Sequence, residues 1–197
     1  MRFQHFVIEA IESALENNII NIGENKVQET EQKIKDNKLP SKAQLHFIGT
    51  LQRNKAKKAV SLYDYIQTVD SIRLAEKINS SAKNIQKQQN VFLQINIADQ
   101  KEKKGFLTSE IISASKTISQ YSNILIKGVM IIPPITKNKN TYIGYFKKAR
   151  QIQKQIQKQI PECKSLSMGM SGDYMEAIKE GATHIRIGTA LFGERDK

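Results

Sequence analysis

The chain has 197 residues and a formal net charge of +12, from 31 Lys or Arg against 19 Asp or Glu; this length suits one domain with a substantial core. A hydrophobic fraction of 39% excludes wholesale disorder, and the one cysteine, Cys163, makes no internal disulfide, which fits a reducing cytoplasm. No apolar run is long enough to span a bilayer, Glu9 and Glu12 interrupt the N-terminal apolar stretch that a secretory signal would need, and no Cys/His cluster has metal-ligand spacing.

In chain order, Val7, Ile8, Ile11, Ala14 and Leu15 recur at helical spacing and predict an opening helix. Seven short apolar or alternating runs then predict strands over 19–23, 45–49, 65–69, 91–97, 126–132, 165–168 and 184–187. Helical stripes separate them. Leu74, Ala75, Ile78, Ala82 and Ile85 precede the strand VFLQINI, while Tyr145, Phe146, Ala149, Ile152, Ile156 and Ile160 carry a long helix through the repetitive QIQKQIQKQI. Strand–helix alternation predicts a parallel sheet and an α/β fold. A TIM-type (β/α)8 barrel needs eight strands, so the expectation is a single domain over 1–197, an incomplete barrel of seven strands whose first strand is missing. Its functional face lies at the strand C-termini, near Asn25, Thr50, Asn96 and Met130.

The densest signal is 165–193, SLSMGMSGDYMEAIKEGATHIRIGTALFG. Asp173 and Glu176 have capping-box spacing, Met175, Ile178 and Ala182 fall near one helical stripe, and Gly181 sits where a left-handed C-terminal cap is wanted. In the last strand Ile185 and Ile187 face the helices while His184 and Arg186 face the interior. Two successive strand ends carrying Ser171 and Gly188-Thr189 point N–H groups and hydroxyls at one anion, as in barrel phosphate sites. Turn chemistry is the competing use of the same Gly and Ser residues. An interior Arg186 needs an acceptor, either a ligand or a carboxylate such as Glu24.

The pattern MGMSxDxxxAIxxGxTxxRIGxxxFG is similar to the C-terminal signature of the pyridoxal phosphate homeostasis family, the YggS/PROSC-like relatives of the alanine racemase barrel. GENKVQE at 23–29, HFIGTLQRNK at 46–55, and QIN at 94–96 followed by KKG at 103–105 resemble three further blocks, all in family order. The resemblance covers nearly the whole chain. It implies a pyridoxal 5′-phosphate-binding, alanine-racemase-like barrel that holds the cofactor and passes it on in intracellular homeostasis, without evident enzymatic activity. The expected partner is the small cofactor alone, with a monomeric cytoplasmic chain, no specific nucleic acid and no membrane.

The same resemblance implies that Arg186 lies against the pyridine nitrogen and that Ser171, Gly188 and Thr189 take the phosphate. Ser167 and Met168 line that pocket, and Asn25 and Asn96 bond the cofactor or neighbouring loops, structural use being the alternative. Family members carry a Schiff-base lysine at the end of their first strand; that strand and lysine are expected to be absent here, leaving binding weakened or noncovalent. Lys55 and Lys103 are the candidates for adventitious attachment, and His46 reads as a satisfied structural histidine. Thr50, Arg53 and Gln100 depart from the family pattern within matched blocks, which bears on loop geometry. Three alternatives stay open. They are a truncated paralogue without cofactor function, a racemase-like enzyme needing a base on each face of the cofactor, and a basic polyanion-binding protein whose affinity falls with salt.

Overall fold

The computed structural model describes residues 11–36 and 42–188. The first described residues, 11–16, are helical with Ile11 buried, while Val7 and Ile8 lie outside the described residues. Strand β1 (Asn21–Glu24), helix α1 (Val27–Lys35) and β2 (Gln44–Phe47) follow. Next come a 3-10 turn (Arg53–Lys55), α2 (Ala56–Leu62), β3 (Tyr65–Val69), α3 (Ile72–Lys83) and β4 (Gln89–Asn96). The chain continues through β5 (Phe106–Leu107), α4 (Ile111–Ser119), β6 (Ile124–Ile131), α5 (Lys139–Gln157), β7 (Ser165–Met170), α6 (Tyr174–Lys179) and β8 (His184–Arg186).

Every strand pairing is parallel, and the wall runs β1-β2-β3-β4-β6-β7-β8. These are the seven strands read from the sequence. The eighth, β5, is a two-residue addition to the C-terminal end of β4 and lay below the length at which periodicity is visible. Among the described residues the wall ends at β1 on one side and β8 on the other, so the sheet is a nearly closed, incomplete (β/α)8 barrel.

One apolar core joins the outer strand faces to the helices. Leu74, Ala75, Ile78 and Ala82 of α3 and Phe146, Ala149, Ile152 and Ile156 of α5 are buried in it, as their spacing predicts. Ile85 falls beyond the end of α3 and is 47% exposed, so it leaves the predicted stripe.

The stripe predicted for α6 also needs correction. Ala177 is its buried contact, whereas Met175 and Ile178 are about half exposed. No capping box forms either: the Asp173 carboxylate turns back to accept from the Met170 N–H at 2.6 Å, and Glu176 pairs with Lys139. The helix ends as read, in a Schellman pattern with Gly181 at φ +90° and Ala182 N–H bonded to the Ala177 carbonyl. Gly169 packs β7 tightly on this helix. It has φ +92°, and a Cβ there would sit 2.6 Å from that of Ala177.

Candidate functional site at the strand ends

Period-2 alternation places His46, Tyr65, Phe92 and His184 on the inner faces of four strands. His46 stacks on Tyr65 with ring centroids 4.4 Å apart and lies 5.9 Å from His184, which meets Phe92 edge-on at 5.3 Å. This tier fills the interior below the strand C-termini, as layered side chains do in closed barrels.

From the start of β1 to the C-terminal end of β8 a hydrogen-bonded chain crosses the interior. Arg186 Nη1 donates to Ser167 Oγ at 2.7 Å, and Nη2 donates to the Ile131 carbonyl at 2.8 Å. Ser167 Oγ donates to Gln67 Oε1 at 2.7 Å. Gln67 Nε2 donates to His46 Nδ1 at 2.9 Å, and His46 Nε2 donates to Asn21 Oδ1 at 3.0 Å. With Nδ1 accepting and Nε2 donating, this network assigns His46 as neutral imidazole. Its pKa agrees: burial, helped by His184 and opposed by Asp64, lowers it to about 4.

Arg186 points inward, as the alternation of the last strand predicts. Burial pulls its guanidinium down to about 10, against the attraction of Asp173, so it remains a cation at neutral pH. Among the described residues no carboxylate lies within ion-pair distance of it. Glu24, the alternative partner, pairs instead with Lys33 of α1 at 2.5 Å, because alternation turns Ile22 and Glu24 toward the helices and Asn21 inward. Among the described residues, therefore, Arg186 combines a full charge with neutral acceptors and has N–H donors left over.

Ser171 and Gly188 follow β7 and β8, whose Met170 and Arg186 are register partners, so these two residues leave the sheet from adjacent strands. Ser171 is half-buried and Gly188 exposed. A Cβ on Gly172 or Gly188 would meet no atom within 4 Å, so backbone at both strand ends borders open space. Thr189 lies outside the described residues. Asn25, just past β1, is exposed. Lys55 is half-buried and Lys103 exposed, and neither is on a strand.

Two predicted pocket residues are engaged elsewhere. Met168 follows Ser167 on β7, so it faces the other way and packs in the helix-side core. Asn96 organises a loop: its Nδ2 donates to the carbonyls of Gln100 and Lys103, and its Oδ1 accepts from the Gln100 N–H. Two shallow clefts, about 490 and 510 Å³, lie elsewhere and are lined by none of these candidate residues.

The alanine racemase N-terminal domain family matches residues 3–196. The pyridoxal phosphate homeostasis protein of Vibrio alginolyticus is 33% identical over 188 residues, covering 95% of this chain and 79% of the relative. That of Pasteurella multocida is 36% identical, covering 88% and 76%. The chain belongs to the pyridoxal phosphate homeostasis family.

Family likeness extends to solved structures. PipY of Synechococcus elongatus without pyridoxal phosphate matches at a TM-score of 0.87 and 35% identity, covering 94% of this chain and 87% of PipY. PipY with pyridoxal phosphate bound matches at 0.84 and 34%, over the same shares. Alanine racemase of Clostridium difficile, at 0.81 but 13% identity over 97% of this chain and 49% of its own, shares the fold.

Sequence reasoning missed Gln67 and Asn21. A signal for Gln67 was present: it is the amide in YIQTV, on the face opposite Ile66 in a strand otherwise buried. An uncharged amide carries no chemistry by type, so only the residues it bridges reveal its use.

Proposed function

We propose that this chain binds pyridoxal 5′-phosphate and serves cytoplasmic homeostasis of that cofactor, holding and releasing it as a monomeric single domain without a reaction of its own. The observation that carries the reading is Arg186, an inward-facing cation with neutral hydrogen-bond partners, beside two strand ends that border open space. These features fit the cofactor's ring nitrogen and phosphate. Names and structures of relatives at 33 to 36% identity support the same ligand.

Arg186 would face the ring nitrogen, Ser171, Gly188 and Thr189 would hold the phosphate, and Ser167 would fix Arg186 while Asn25 bounds the mouth. Bound there, the cofactor supplies an aldehyde and an electron-withdrawing pyridine ring. Arg186 would offer the ring nitrogen a hydrogen bond while keeping its own proton, which would leave the ring a poorer electron sink. That suits custody of the cofactor better than turnover. Among the described strands the one lysine is Lys127, whose Nζ pairs with Glu162 at 3.1 Å, so retention by this 197-residue chain rests on noncovalent contacts and is correspondingly weak.

Equilibrium dialysis tests the proposal. Pyridoxal phosphate should bind measurably more tightly than pyridoxal, and Arg186→Leu should weaken both. Equal affinity for the two vitamers would remove the phosphate site, and no binding of either would remove the function.

A further inference from the structure

We propose that Gln67 and His46 are positioning residues for Arg186, setting through Ser167 the direction in which the guanidinium presents its donors to the cofactor ring. The proposal rests on Arg186 facing that ring. Its physical basis is the polarity of the chain Asn21–His46–Gln67–Ser167–Arg186, in which each member has one consistent orientation.

Asn21 Oδ1 accepts, so His46 carries its hydrogen on Nε2 and turns the Nδ1 lone pair toward Gln67. Gln67 must then place its amino group on His46 and its carbonyl oxygen on Ser167. The single hydroxyl hydrogen of Ser167 is spent on that oxygen, so only lone pairs face Arg186. Were the amide turned, its amino group would face Ser167, the hydroxyl hydrogen would point at Arg186, and donor would meet donor. With an amide at position 67, the tautomer of His46 on β2 thus sets which end of that amide serves Ser167 and, through it, Arg186 on β8.

Burial enforces the coupling. Ser167 is 0% exposed, and Gln67 and His46 are each 3% exposed, so the middle of the relay is enclosed, while Asn21 at its far end is exposed. The tie between Gln67 on β3 and Ser167 on β7 joins strands that are not neighbours in the wall. Apolar side chains ordinarily fill this tier in barrels of the fold. A polar relay that ends on a cation with no ion-pair partner among the described residues specifies direction, which apolar packing cannot.

Two variants separate positioning from mere filling. Gln67→Met keeps the length and removes both hydrogen bonds. Gln67→Glu keeps the acceptor for Ser167 but demands a proton on His46 Nδ1. In nitrogen-15 NMR of the ligand-free chain, Gln67→Met should speed exchange of the Arg186 side-chain N–H groups by about tenfold, the scale of one lost buried hydrogen bond. Gln67→Glu should retain slow exchange while His46 gains a proton on Nδ1 and keeps the hydrogen that Nε2 donates to Asn21. With pyridoxal phosphate added, Gln67→Met should shift the absorption maximum of the bound cofactor relative to wild type, and Gln67→Glu should restore it. Wild-type Arg186 exchange and an unshifted absorption maximum in Gln67→Met would overturn the inference. Should Gln67→Met fail to fold, an unchanged His46 spectrum in Gln67→Glu would overturn it equally. Failure of wild type to bind pyridoxal phosphate would sink the functional reading, while the ligand-free spectra would still decide the relay.

Discussion

Gly49, just past β2, lies so close to Asn25, just past β1, that a Cβ on Gly49 would fall 2.1 Å from the Asn25 carbonyl oxygen. That atom is backbone and cannot rotate aside. The approach is held from both sides, because Thr68 Oγ1 donates to the Gly49 carbonyl at 2.6 Å and the Ile48 N–H donates to the Glu24 carbonyl at 2.9 Å. Gly49→Ala is therefore expected to force the rim of β1 and β2 apart at a cost of about 1–3 kcal/mol, in the range of overpacked sites. Urea unfolding of both proteins measures it, and equal midpoints would show that the rim yields freely.

Acid should destabilise the fold through His46. Its folded pKa is depressed to about 4 from 6.5, first by burial and then by His184, with Asp64 opposing. Below pH 6.5 the unfolded chain binds a proton that the folded chain refuses, so stability is fully present above that pH and falls toward pH 4. The loss from His46 alone is about 3 kcal/mol at roughly 1.4 kcal/mol per pKa unit. His184, also depressed by burial and by Arg186, adds in the same direction. Denaturant unfolding between pH 7 and 4.5 should show this slope, and His46→Gln should flatten it; the same slope in both would refute the assignment.

The places where sequence reading succeeded share a physical cause. Helix α5 and the strands at Tyr65–Val69 and Gln89–Asn96 bury continuous apolar faces, and burial writes itself into spacing. The inward turn of Arg186 followed from strict alternation with Ile185. Asp173 and Met168 were harder. A carboxylate at a helix start has several donors within reach, and it chose the Met170 N–H over the helix; a methionine suits a pocket wall and a core equally. Asn96 and Gln67 show the limit, since an amide takes its role from partners distant in sequence, here loop carbonyls for one and residues 21 and 100 positions away for the other.

Gly188→Asp offers a clean test of the phosphate contact. A Cβ there meets nothing within 4 Å, and Gly188 is not among the glycines with positive φ, so the fold accommodates the side chain. The added carboxylate would oppose a phosphate dianion at the end of β8. Pyridoxal phosphate affinity is expected to fall about tenfold or more, equivalent to roughly 1.4 kcal/mol, with pyridoxal affinity and the thermal midpoint unchanged. Parallel losses for both vitamers in equilibrium dialysis would place the phosphate elsewhere.

Covalent retention is the sharpest remaining question for the 197-residue chain. The lysine on a described strand, Lys127, is held by Glu162, and Lys55 and Lys103 lie outside the strands, half-buried and exposed respectively. An enclosed, charge-tuned setting makes an amine a ready nucleophile toward an aldehyde, and none of these three lysines is buried. Borohydride reduction of the chain saturated with pyridoxal phosphate, followed by peptide mass mapping, should therefore give substoichiometric labelling spread over several lysines, with Lys55 and Lys103 among them. Noncovalent cofactor should be recovered intact by gel filtration before reduction is attempted. Stoichiometric labelling of one lysine would mean that the chain has recruited its own anchoring residue, and the weak, noncovalent site built around Arg186 would have to be given up.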